Sequence, residues 1–124
     1  MNKQRPVNIY LLSYKYPVTA IISVLHRISG VLVFLLIPLL LYLLAASLAS
    51  PDQFDDVIDT LSNPFMKLII WALLSALLYH LLAGVRHLIM DLGWGEDLKS
   101  ARTSAWAVAV IAAILTLITG IWLW

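Results

Sequence analysis

Three long apolar stretches, Ile21 to Leu48, Phe65 to Leu92 and Ser104 to Trp124, constrain this chain of 124 residues more than any other feature. Each reaches the roughly 20 residues that a helix needs to cross a hydrocarbon core of about 30 Å. Within a bilayer such a segment satisfies its own backbone N–H and C=O groups only as a helix. The expectation is an all-α membrane protein with three transmembrane helices, about 21–48, 65–92 and 104–124, forming a single domain over residues 1–124. The composition is 62% hydrophobic and 12% charged, where a soluble domain carries about a quarter charged residues. A chain this short cannot hide so much apolar surface in its own interior. The surplus must face membrane lipid or other subunits.

Pro38 falls inside the first stretch and is expected to kink that helix without ending it, because neighbouring helices compensate for the missing donor in a membrane. The segment from Ala49 to Pro64, with Asp52, Asp55, Asp56 and Asp59, and the segment from Gly93 to Thr103, with Glu96, Asp97, Lys99 and Arg102, are expected to be ordinary surface connectors. The opening run MNKQRPVNIYLLSYKYP is too polar and too broken by proline to be a signal-peptide core, so the first apolar stretch is expected to be a retained span. Basic residues decide orientation. Lys3, Arg5, Lys15 and Arg27 lie at or before the start of the first helix, and Arg86, Lys99 and Arg102 surround the second connector. This predicts a cytoplasmic N-terminus, a periplasmic acidic connector and a periplasmic C-terminus. Trp71, Trp94, Trp106, Trp122 and Trp124 fall near the predicted span ends, as an interfacial aromatic belt requires.

Several chemistries are excluded at once. With no cysteine the chain forms no disulfide, ligates no iron–sulfur cluster and attaches no haem through a CxxCH motif. A net charge of +1 gives no sign of a nucleic-acid partner. There is no dinucleotide fingerprint.

Polar residues inside the spans carry what chemistry remains. In the second stretch His80, Gly84, His87 and Asp91 recur at steps of four, three and four, which places them on one helical face. Counting about 1.5 Å per residue back from Asp91 sets His80 about 16 Å deep, near the middle of the core. An ionisable group at that depth marks a ligand, relay or substrate contact, unless it is a neutral imidazole bonded to a neighbouring helix. A neutral imidazole also suits haem iron as an axial ligand. Gly84, one turn along, admits either a flat macrocycle or a closely packed helix. In the first stretch Ser23, His26, Arg27 and Gly30 share a face near the cytoplasmic end. Arg27 has a plainer reading as a headgroup-snorkelling or topology-fixing cation. Together with His87, Arg86 and Asp91 these residues make a polar layer suited to haem propionates or to a quinone carbonyl. A proton relay through His80, His87 and Asp91 in a transporter subunit is the rival reading.

The ordered patterns Arg5-Pro6-Val7-Asn8, SxxHRxxG from Ser23 to Gly30 and HxxxGxRHxxxD from His80 to Asp91 resemble the cytochrome b membrane-anchor subunit of succinate dehydrogenase over nearly the whole chain. The resemblance implies that His80 is an axial ligand to haem b, with the second axial histidine supplied by a companion membrane-anchor subunit. His26 and His87 are expected to lie too near the cytoplasmic face to pair with His80 through one iron. The resemblance further implies a ubiquinone site that includes Ser23, Arg27 and Asp91. His26 and Arg27 are placed to meet haem propionates, and His87 is either a propionate contact or structural. An iron–sulfur subunit and a flavoprotein subunit are the implied partners, and the bacterial inner membrane the implied location. Alone, the chain is not the dehydrogenase.

Overall fold

A computed structural model describes residues 15–124, so Lys3, Arg5 and the Arg5-Pro6-Val7-Asn8 run lie outside the described residues. Among these there are four helices in chain order: α1 Val18–Ala49, α2 Pro51–Ser62, α3 Pro64–Asp91 and α4 Leu98–Leu123. Three of them, α1, α3 and α4, are long and apolar enough to span a membrane, as the three stretches predict.

The helix ends follow local chemistry. Pro17 precedes α1 in an extended conformation, and its carbonyl accepts from the N–H groups of Ala20 and Ile21 at 3.0 and 3.2 Å. Pro38 lies inside α1, which runs unbroken for 32 residues. The acidic connector, expected only as an ordinary surface connector, is itself a helix. Ser50 caps α2 by accepting from Gln53 N–H at 3.2 Å, and Pro51 occupies the first turn, where a missing donor costs nothing. Phe54, Val57, Ile58 and Leu61 fall at steps of three, one and three, so one side of α2 is apolar while Asp52, Asp55, Asp56 and Asp59 are exposed. That apolar side roofs a crevice of about 420 Å³ between α1 and α3, lined among others by Leu40, Leu43, Met66 and Leu73. A single residue, Asn63, separates α2 from α3 and caps the latter by accepting from Phe65 N–H at 2.9 Å.

The connection from α3 to α4 turns through Gly93 and Gly95, with φ of 83° and 73°, a backbone region that suits glycine. α4 begins earlier than the apolar stretch, because Asp97 accepts from Ser100 N–H at 2.9 Å and caps it. The Ser100 hydroxyl and N–H hold the Asp97 carboxyl below its usual range. This cap therefore contributes while the carboxylate is ionised and weakens as pH falls through the lowered folded value.

Packing between the spans relies on small side chains. Ala101, Ala105, Val108 and Ala112 recur at steps of four, three and four along α4 and are all buried. Ala83 of α3 and Ala105 of α4 are fully buried, in one cluster with Ile22 and Val108. Small residues let helix backbones approach where no hydrophobic force favours association. Trp71 Nε1 donates to the Thr116 carbonyl at 2.8 Å and sits against Gly120, so this tryptophan ties α3 to α4 rather than joining the outer belt. Trp94, Trp106, Trp122 and Trp124 are exposed. Phe34, Tyr42, Leu48 and Ile121 are at least 70% exposed, a surface that only lipid or neighbouring subunits can cover.

Candidate functional site

The α1–α3 contact collects the histidines. His80, Gly84 and His87 do share one face of α3, and that face meets α1. His80 Nδ1 lies 3.1 Å from the carbonyl oxygen of His26 and 3.1 Å from Ser29 Oγ. A carbonyl only accepts, so Nδ1 carries the proton and donates to it. Ser29 Oγ donates to the same carbonyl at 2.8 Å and is buried. With Nδ1 committed, Nε2 of His80 keeps its lone pair, the arrangement that orients metal-bound histidines.

Glycine makes the approach possible. A Cβ on Gly30 would lie 3.0 Å from His80 Cε1, tighter than ordinary van der Waals contact. Gly84 fronts His26, whose Nε2 would be 3.4 Å from a Cβ there. The two sequence readings of Gly84, a flat macrocycle and a closely packed neighbour, are not exclusive; the neighbour at this position is the His26 ring.

The rings of His26 and His80 stack with centroids 4.3 Å apart and planes 20° from parallel, and the His87 ring stands 5.0 Å from that of His26. His26 is therefore no shallower than ring contact with His80 allows, a difference from the sequence expectation. Antiparallel packing of α1 on α3 brings the two to one level. Face-to-face rings are not the opposed, edge-on pair that two axial ligands form, so these two imidazoles do not clasp one metal between them. His26 Nε2 is buried and without a hydrogen-bond partner among the described residues. Such an orphaned donor or acceptor in an apolar span calls for a polar group from outside the described residues.

The remaining candidates are spread around this cluster. Ser23 is half-buried, Arg27 is exposed on α1, and Asp91 is exposed as the last residue of α3. The structure does not bring Ser23 and Arg27 into contact with Asp91 through any hydrogen bond or ion pair among the described residues. Arg86 leaves the polar layer altogether. It turns to α4, donating from Nε to Ser104 Oγ at 3.0 Å and from Nη2 to the Ala101 carbonyl at 3.1 Å. Tyr79 was not singled out by its sequence position, yet its hydroxyl donates to the Ile22 carbonyl at 2.7 Å and pins the same α1–α3 seam.

A haem group is compatible with this donor set. The described residues offer one imidazole held through Nδ1 in an apolar span, a second imidazole nitrogen beside it without a hydrogen-bond partner among them, and glycines on both facing helices.

Comparison with known proteins agrees in kind. The family described as succinate dehydrogenase/fumarate reductase transmembrane subunit matches residues 1–119. Similar proteins include the succinate dehydrogenase cytochrome b556 subunit of Coxiella burnetii, 45% identical over 125 aligned positions and covering 100% of both chains. That of Paracoccus denitrificans is 36% identical over 92% of this chain and 90% of its own length. The succinate dehydrogenase cytochrome b560 subunit of Reclinomonas americana is 32% identical over 98% and 88%. Three membrane-spanning helices, a histidine cluster at their seam and this match along almost the whole chain agree, and the protein belongs to the succinate dehydrogenase/fumarate reductase transmembrane subunit family.

Proposed function

We propose that this chain is the cytochrome b anchor of a bacterial succinate dehydrogenase, holding haem b through His80 and forming part of the site where ubiquinone is reduced. The observation that carries the reading is the His80 Nδ1 bond to the His26 carbonyl, which leaves Nε2 of a mid-membrane imidazole without a hydrogen-bond partner among the described residues. A second histidine for the iron would come from the companion anchor subunit, as in the family the chain resembles, and the His26 ring, stacked on that of His80, would be left to other contacts. His26 Nε2, without a hydrogen-bond partner among the described residues, is available to donate to a haem propionate, with Arg27 and His87 as further propionate contacts.

Haem b, when bound, supplies one-electron storage beside the quinone site. The chain's own residues do the rest. Gly30 leaves room for the imidazole, and Ser29 shares its carbonyl anchor. Ser23 and Arg27, one turn apart on α1, offer a neutral and a charged donor to the quinone oxygens, whose growing negative charge they stabilise. Asp91, exposed at the end of α3, is placed to pass protons from water, since reduction of a quinone takes up two protons with two electrons. Flavin and iron–sulfur clusters reside in the flavoprotein and iron–sulfur subunits, for which this chain is a membrane mooring. Family membership sets aside the transporter reading.

Purification of the tagged chain from mild detergent tests the assignment. The expected product is red, shows a b-type reduced-minus-oxidised spectrum, and contains a second small membrane subunit with the two larger soluble ones. A colourless preparation lacking the soluble subunits would overturn it.

Orientation is tested separately. Asp55→Cys is expected to react with an impermeant thiol reagent in intact cells, and Lys99→Cys only after the membrane is opened. Labelling of Lys99→Cys from outside would invert the topology and move the quinone site to the wrong face.

A further inference from the structure

We propose that the crevice between α3 and α4 is a binding site for one membrane phospholipid, its phosphate held by Arg86 and its acyl chain laid against the apolar wall beneath. The inference rests on the α3–α4 contact and not on the haem reading.

Arg86 is 6% exposed, on a helix whose surroundings are apolar. Its two hydrogen-bond partners, Ser104 Oγ and the Ala101 carbonyl, are both neutral. No carboxylate among the described residues forms an ion pair with it. A guanidinium carries five N–H donors in a planar fork and a full positive charge. Two neutral acceptors satisfy part of the fork and none of the charge. Buried cations are otherwise paired, because an isolated one costs many times a hydrogen bond. The missing anion must come from outside the described chain.

The cavity beside it says which anion. Arg86 lines a crevice of about 330 Å³ whose other walls include Leu82, Val85, Ile89, Ala107 and Ile111, with Ser100, Ser104 and Trp94 also lining it. Arg86 lies five residues before the end of α3, about 8 Å along the axis, and Ile111 seven residues deeper on α4 than Ser104, about 10 Å. Counted from Asp91, as the depth of His80 is, the cation stands about 8 Å in from the helix end, with the apolar wall running further inward and a tryptophan outward, so an anion reaching it from the headgroup layer must carry an apolar part with it. A lipid phosphate with its ester-linked chain has this layout. Free phosphate has not, since most of its oxygens would face hydrocarbon. Around the mouth, Asp91, Glu96 and Asp97 are set against Lys99 and Arg102, all exposed to water. Their charges largely cancel and are screened. The uncompensated charge is the one inside.

The test uses the whole purified complex, stripped of lipid by detergent exchange and titrated with dioleoyl-phosphatidylglycerol under native mass spectrometry. Wild type is expected to retain a phospholipid that Arg86→Gln binds about tenfold more weakly. Ala107→Phe fills the apolar wall without touching the guanidinium and is expected to weaken binding comparably. Dioleoylglycerol, which lacks the phosphate, should not bind this site, and millimolar inorganic phosphate should not displace the lipid. The native mass of the complex reports assembly in each variant; should Arg86→Gln not assemble, Ala107→Phe decides alone. Equal retention in wild type and the assembling variants overturns the proposal. So does displacement by inorganic phosphate, which would mean an ion site, or a cross-link placing a companion-subunit carboxylate on Arg86.

Discussion

In His80→Leu the low-spin b-type absorbance of the assembled complex is expected to disappear or convert to a high-spin form, while the complex itself persists. Leucine keeps the span apolar and removes the imidazole whose Nδ1 is tied to the His26 carbonyl and whose Nε2 has no hydrogen-bond partner among the described residues. Assembly survives because the His26 carbonyl still receives the Ser29 hydroxyl at 2.8 Å, so no buried acceptor is stranded. His87→Leu serves as the control and should leave the low-spin band in place. Gly30→Leu provides an independent arm. A Cβ alone would come within 3.0 Å of His80 Cε1, so the larger side chain must push the ring off its carbonyl and perturb the same band with His80 intact. An unchanged spectrum in His80→Leu together with its loss in His87→Leu would move the ligand two turns along α3 and overturn the assignment.

The second large effect concerns Arg27. Succinate-driven reduction of quinone, divided by reduction of a soluble acceptor that bypasses the membrane site, is expected to fall about ten- to a hundredfold in Arg27→Leu. A charged donor contributes roughly 1.5 to 3 kcal/mol, and about 1.4 kcal/mol is a factor of ten. Ser23→Ala loses a neutral donor of about 0.5 to 1.5 kcal/mol and should lower the ratio only about two- to tenfold. The order matters as much as the size. Arg27 is exposed nine residues into α1, and a cation there is either covered by ligand and partner or merely reaching for headgroups. The first alternative lowers the ratio. The second leaves the ratio alone in both variants and would remove these residues from the quinone site.

The spans were legible because length and hydropathy alone settle the matter in a bilayer. The helix α2 was not, although its signs were present. Phe54, Val57, Ile58 and Leu61 carry the amphipathic period, and Ser50 followed by Pro51 marks a helix start. Four aspartates in twelve residues drew the eye to a loop. The early start of α4 was hidden for a related reason: Lys99, Ser100, Arg102 and Thr103 fail a test for lipid compatibility but not a test for helix. In the site, the steps between His80, Gly84 and His87 gave the face, and packing against α1 agrees with it. What spacing along one helix does not encode is the register between two. The stacking of His26 on His80 depends on how far α1 slides past α3, and that is set by Gly30, Gly84 and Tyr79 together. Arg86, adjacent to His87 in sequence, lies about 100° around the helix and so belongs to a different seam.

The short helix α2 also acts as a depth gauge. Its apolar side is turned toward the crevice between α1 and α3 while its aspartates require water, so it floats at one water–hydrocarbon boundary. Ser50 and Asn63, one residue each, join it rigidly to the long helices on either side. The level of that end is thereby fixed, whatever the thickness of the membrane. α1 runs 32 residues, about 48 Å, so any mismatch with a thinner or thicker bilayer is taken up at the opposite end. That end carries Ser23, Arg27 and Asp91. Bilayer thickness then alters how far those three side chains stand from the aqueous phase, while His80 keeps its distance from the gauge.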